Sequence, residues 1–222
     1  YTAKQAESDS DRPLVILVHG GGFSGGKRDN PMEVKFSQAL AAKGYAVASI
    51  SYNLTRKGKP TGFGCACPAS EKMATFKQTT ADILKAITYL KSDTQFSFDA
   101  EKIILVGSSA GAEGVLNTAY MANHPDFKYL GDYPKIAAVV SLAGAVVDAR
   151  YITKENAVPG FFIHGDADNL VPYNSQPHHF CAPDTPGFLP LDGDAFIAAR
   201  LKNLDASYTL LTASQGNHDW AN

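Results

Sequence analysis

Residues 107–111, Gly-Ser-Ser-Ala-Gly, follow directly on the apolar run Ile103-Ile104-Leu105-Val106 and precede a stretch compatible with a helix. A strand that turns into a helix within so few residues leaves no room for side chains at the flanking positions, which accounts for glycine at 107 and 111. The spacing predicts that Ser109 stands at the apex, its hydroxyl exposed at the end of a buried strand with a helix N-terminus beneath it. Ser108, one residue off the apex, is expected to point sideways into the fold. Such a junction belongs to an α/β chain, and the remaining segments agree with that class.

Apolar runs alternate with helical patterns throughout, as they do in a parallel sheet with crossover helices. Strands are read at Leu14–His19, Ala46–Ser51, Lys102–Gly107, Ala137–Leu142, Gly160–His164 and Tyr208–Thr212, and helices near Met32–Lys43, Ser70–Asp93, Ala110–Asn123 and Asp192–Leu204. In the second helix Ala81, Ile83, Leu84, Ile87 and Leu90 recur at helical spacing, a core-facing stripe. At 222 residues the chain, 1–222, reads as one domain without internal repeats.

Three strand ends carry polar chemistry. Val15–Val18 runs into His19-Gly20-Gly21-Gly22-Phe23, where glycines free backbone N–H groups to face a ligand. A phosphate-binding loop would close on Lys followed by Ser or Thr, and Gly25-Gly26-Lys27-Arg28 lacks the hydroxyl. Gly160–Ile163 ends in His164-Gly165-Asp166-Ala167-Asp168 and continues to Val171-Pro172. Tyr208–Thr212 is followed by Gly216-Asn217-His218.

With serine, aspartate and histidine in that chain order, the sequence resembles the α/β-hydrolase superfamily, in particular small bacterial esterases and lipases with an H-G-G-G loop and a G-x-S-A-G elbow. The resemblance runs from Val15 to His218. It implies Ser109 as nucleophile, His218 as general base and Asp168 as the acid that orients it, with Gly21, Gly22 and Ala110 supplying oxyanion N–H groups. Asp168 fits the pattern H-G-x-x-D-x-x-V-P residue for residue, whereas Asp166 reads as a turn cap and Asp148 as a more distant rival. His19 and His164 are expected to orient loops, and His124 to stop a helix at the surface. His178 and His179 are expected in a loop that could line the pocket.

The chain departs from hormone-sensitive-lipase-like elbows, which usually read G-D-S-A-G-G, by having Gly-Ser-Ser-Ala-Gly-Ala and then Glu113. Only about a dozen residues precede Leu14, too few for the antiparallel pair that opens this fold. The expectation is therefore an α/β-hydrolase fold, a mostly parallel sheet with helices on both faces, lacking the first two strands and ending abruptly after His218.

The implied reaction is ester hydrolysis through an acyl-enzyme, on small or carbohydrate-linked esters, with no metal and no organic cofactor. A serine peptidase of the prolyl-oligopeptidase type and a catalytically silent binding domain are the competing readings; the first generally carries a large second domain, and the second typically lacks the serine or histidine. Phe23 and Tyr173 are expected to contact substrate, with Tyr52, Phe63 and Phe188 as further pocket candidates.

A net charge of −2 without a basic cluster gives nucleic acid no foothold, and no apolar run reaches the ~18 residues of a membrane span. The chain opens on Tyr1 rather than Met, which leaves room for a removed leader and favours a secreted or periplasmic location. Oligomeric state is not readable.

Two Gly- and Pro-rich segments, 53–68 and 173–190, follow strand ends and are expected over the active-site face. They hold all three cysteines, Cys65, Cys67 and Cys181. A bridge from Cys181 to Cys65 or Cys67 would staple the loops; free thiols, or a metal site with His178 or His179, are the other readings.

Overall fold

In the computed structural model, residues 1–2 and 11–221 are described. Six parallel strands form the central sheet: β1 (Pro13–Val18), β2 (Ala46–Ile50), β3 (Asp99–Ser108), β4 (Ile136–Leu142), β6 (Gly160–Gly165) and β9 (Tyr208–Ala213). Their spatial order is β2-β1-β3-β4-β6-β9. Short strands β5 (Ala145–Val146), β7 (Ser175–Pro177) and β8 (Pro190–Gly193) pair antiparallel in a second sheet. That small sheet has no counterpart in the sequence pattern, because strands of two to four residues are too short to display an alternation.

Four helices connect the strands: α1 (Pro31–Ala41), α2 (Ala69–Ser92), α3 (Ala110–Tyr120) and α4 (Asp194–Asn203). Pro31 opens α1 at a position where its fixed φ suits the first turn and its missing N–H leaves no gap. In α2 the stripe buries Ile83, Leu84 and Ile87. The third helix ends three residues before the predicted Asn123, and every one of its residues is buried.

Both faces of the sheet are covered near its centre, so β1 reads as a continuous apolar run rather than an alternation. Leu14, Ile16, Val18, Ile103, Leu105, Val139 and Phe162 share one large core with side chains of α2, α3 and α4. On the other face Val15, Leu17, Val47 and Val106 form a smaller cluster that Leu40 of α1 joins. Farther along that face Phe161 and Leu211 reach the surface.

Among the described residues no strand precedes β1, while Tyr1 exchanges both backbone hydrogen bonds with Val47 of the edge strand β2. The expected absence of two opening strands touches residues 3–10, which lie outside the described residues.

The two irregular segments are held to one another. Cys65 and Cys181 form a disulfide, and Cys67 is a buried free thiol. The Gly187 N–H donates to the Cys65 carbonyl and the Ala69 N–H to that of Pro186. Buried Lys72 donates to the Gly187 carbonyl at 2.8 Å. Buried Arg56 ties the first segment internally, donating to Gly62, Thr61 and Glu71. A bridge across 116 positions removes much loop entropy from the unfolded chain and is worth ~4 kcal/mol on that model. Titration of denatured, unreduced protein is expected to find one thiol, and reduction to lower the unfolding midpoint. Three thiols under those conditions would contradict the bridge.

Candidate active site

The elbow is built by backbone crowding. A Cβ on Gly107 would sit 2.3 Å from the Gly111 carbonyl oxygen, and one on Gly111 would sit 2.1 Å from that of Val18. Helix α3 therefore packs against β1 and β3 at a distance only glycine permits, and the chain between must turn sharply. Ser109 takes up the turn at φ 50°, a conformation that costs a non-glycine residue ~1–3 kcal/mol. It is held there by its N–H to the Leu142 carbonyl and by its carbonyl accepting the Glu113 N–H. Ser108 borders the cleft, with its side-chain oxygen close to Gly20.

The strand ends of β3, β6 and β9 bring three distant residues together. Ser109 Oγ lies 2.8 Å from His218 Nε2, and His218 Nδ1 lies 2.7 Å from Asp168 Oδ2. Asp168 Oδ1 accepts the N–H groups of Leu170 and Val171 at 2.8 and 3.0 Å. Burial alone would push the Asp168 carboxyl up, but hydrogen bonds from His164, His218 and the Leu170 N–H hold it well below the ordinary carboxylate range. The rival aspartates are occupied elsewhere. Asp166 accepts the Gln215 N–H, and Asp148 caps a short 3₁₀ turn and pairs with Arg150.

The glycine loop closes tightly on itself. Gly21 and Gly22 have φ of 117° and 57°, and the Gly21 carbonyl accepts from the N–H groups of Ser24 and Gly25. Gly21, Gly22 and Ala110 all line the cleft that holds Ser109 and His218. Its volume of about 690 Å³ lies within the range of small-ligand sites.

The two aromatic residues expected at substrate sit elsewhere. Phe23 is fully buried; at φ 56° the chain turns its ring inward, against Phe63, Phe76 and Tyr52. Tyr173 lies behind the acid, edge-on to His164 and hydrogen-bonded to Thr212. Tyr52 is buried with its hydroxyl on the His19 carbonyl, whereas Phe63 does line the cleft, as do His178 and His179.

Sequence reasoning missed a second carboxylate. Buried His164 places Nε2 3.1 Å from Asp168 Oδ2 and Nδ1 3.0 Å from Asp194 Oδ2. Asp194 also accepts from Ser141 Oγ and the Gly144 N–H. Burial opposes a charge on His164, but hydrogen bonds to both carboxylates carry its pKa up to about 9. Burial in turn raises Asp194. Protonated, His164 donates from both ring nitrogens and holds Asp168 and Asp194 together. Its sequence signal was the histidine of H-G-x-x-D; Asp194 gave none, since its distance from His164 is set only by packing.

The ordered chain of hydroxyl, imidazole and carboxylate has the geometry to draw a proton from Ser109. Gly21 and Gly22 of the glycine loop and Ala110 at the α3 N-terminus border the same space. Among the described residues no group of three His, Cys, Asp or Glu side chains is disposed to hold a metal ion. No helix among them is long and apolar enough to cross a membrane.

The six-stranded parallel sheet with its connecting helices is an α/β-hydrolase fold. The chain belongs to the BD-FAE family, whose model matches residues 1–148. Thermogutta terrifontis esterase 2 in its propionate-bound form superposes with a TM-score of 0.65 at 15% identity, over 99% of this chain and 78% of that one. A truncated carbohydrate esterase from gut microbiota matches with a TM-score of 0.61 at 18% identity, over 96% and 80% of the two chains. In sequence the chain is 25% identical over 150 residues to Secreted lipase 5 of Gibberella zeae, covering 67% of this chain and 27% of that relative. The chain thus spans about a quarter of the length of that curated relative.

The His164 network has a pH signature. Folded His164 keeps its proton to about pH 9, whereas the unfolded residue loses it near the ordinary value of 6.5. Its stabilising contribution is therefore full below about pH 6.5 and lost as pH rises through 9. In denaturant titrations the stability lead of wild type over His164→Gln is expected to shrink by on the order of a few kcal/mol between those limits. A lead of equal size at both ends would contradict a charged His164.

Proposed function

We propose that this protein is a serine carboxylic ester hydrolase working through an acyl-enzyme. The observation that carries the reading is the continuous hydrogen-bonded line from Ser109 Oγ through His218 to Asp168, at 2.8 and 2.7 Å, opening into the cleft bordered by Gly21, Gly22 and Ala110.

The mechanism follows from that line. Ser109 Oγ attacks the ester carbonyl as His218 Nε2 takes its proton. Asp168 fixes the imidazole so that Nδ1–H points at the carboxylate and Nε2 is free to accept. The carbonyl oxygen, now negative, is met by backbone N–H groups of the glycine loop and of Ala110, each such donor typically worth ~3 kcal/mol of barrier. The protonated His218 then delivers its proton to the departing alcohol oxygen. Water, deprotonated by His218 in turn, attacks the acyl-enzyme and releases the acid and Ser109.

The site calls on no cofactor for these steps. The substrate class is a small ester, and the names of the relatives point to ester-bearing lipid or carbohydrate molecules. The Cys65–Cys181 bridge and the secreted relative support an oxidising compartment outside the cytoplasm.

Hydrolysis of short-chain 4-nitrophenyl esters tests this reading beside a proline-linked amide, which a peptidase of related fold would cleave. Turnover of the ester without the amide is expected. Ser109→Ala is expected to lower kcat on the order of 10⁴-fold while leaving the thermal midpoint within a few degrees of wild type. Activity within tenfold of wild type would remove Ser109 from its role.

A further inference from the structure

Glu113 and His178 are two titratable groups that the proposed mechanism does not use, yet both border the same cleft as Ser109. Glu113 is 2% exposed and His178 0% exposed. Glu113 stands one helical turn beyond Ser109 in α3. Its Oε1 approaches His178 Nε2 to 3.2 Å, without the alignment of a hydrogen bond. Glu113 Oε1 and both ring nitrogens of His178 have no hydrogen-bond partner among the described residues. Buried polar atoms are nearly always hydrogen-bonded, so three that are not, two of them facing each other at 3.2 Å beside one cleft, call for an explanation.

The pair is also held firmly. The His178 N–H donates to the Leu189 carbonyl and the His179 N–H to that of Leu170. The Cys65–Cys181 bridge and the Lys72–Gly187 bond clamp the chain just beyond the pair of histidines. Phe63 and Phe76 pack edge-on to the His178 ring, and the buried Lys72 ammonium acts on both Glu113 and His178.

We propose that Glu113 and His178 form a hydroxyl-recognition subsite beside Ser109, selecting esters that carry an uncharged hydroxyl group near the scissile bond. The proposal rests on the ester-hydrolase reading above. Burial raises the Glu113 carboxyl to about 8 and drives the His178 imidazole well below its usual value, so both are uncharged at neutral pH. A carboxylic acid and a neutral imidazole each offer one donor and at least one acceptor. A hydroxyl, which donates once and accepts twice, matches that set, whereas an ammonium or carboxylate group would meet no full counter-charge in the pair. A site whose buried polar groups are completed by a substrate hydroxyl discriminates against the analogue lacking it, because the analogue leaves them unpaired.

The test uses ester pairs of equal size, with the hydroxyl replaced by methyl. They are 2-hydroxyethyl acetate against propyl acetate for the alcohol side, and methyl 3-hydroxypropanoate against methyl butanoate for the acyl side. The readout is the ratio of kcat/KM within each pair, which cancels any loss of folded protein. Wild type is expected to favour the hydroxylated member of at least one pair by ~10-fold or more. Glu113→Leu and His178→Phe, each assayed alone, are expected to bring that ratio to near one, mainly through a higher KM for the hydroxylated ester. Glu113→Gln, whose amide still donates and accepts, is expected to retain most of it. A wild type that hydrolyses 4-nitrophenyl acetate yet shows ratios near one in both pairs overturns the subsite alone, as does a preference unchanged in the leucine and phenylalanine variants. Failure to hydrolyse any of these esters overturns the hydrolase reading and the subsite with it.

Discussion

The close approach of α3 to the sheet is the constraint on which the rest of the molecule depends. With Gly111 against the Val18 carbonyl and Gly107 against the Gly111 carbonyl, no side chain fits on either side of the elbow. The helix can then begin immediately after β3 ends, and Ser109 is forced to positive φ. The strain at one residue is repaid by the burial of the whole of α3 within the large core shared with α2. The same contact fixes the elbow against the end of β1, so one packing contact places Ser109 and the glycine loop on the same cleft.

Electrostatics then fixes the order of charges behind Ser109. Asp168 accepts from two histidines and two backbone N–H groups, which keeps it ionised despite its burial. His164 in turn lies between two carboxylates, Asp168 and Asp194. Asp168 is thus held from behind by His164, while the same oxygen, Oδ2, meets His218. A carboxylate so saturated is a rigid orienting group, poorly suited to accept a proton itself.

How much of this was legible follows from what sets each position. The residues that meet at Ser109 sit just past strand ends, where short motifs report local backbone demands; glycines at 107 and 111, and H-G-x-x-D after Ile163, are of that kind. Phe23 was misjudged because its neighbours Gly21 and Gly22 open the loop to a ligand while its own positive φ sends the ring the other way, into the core. Tyr173 follows the acid in sequence but turns toward Thr212, away from the cleft. Asp194 reads as an ordinary first-turn acid of α4; only the packing of α4 beside β6 brings it to His164. The choice between Cys65 and Cys67 as partner of Cys181 also lay beyond the sequence, since a C-x-C spacing leaves either sulfur in reach until the loop path is fixed.

The central claim is that the fold activates one hydroxyl, that of Ser109, through His218. Mass spectrometry after brief exposure to a fluorophosphonate measures this directly, because such a reagent captures an activated serine and leaves ordinary hydroxyls alone. A single adduct is expected, on Ser109, forming on the order of 10³-fold more slowly in His218→Ala. An adduct on Ser108, or labelling of Ser109 at an unchanged rate without His218, would contradict it.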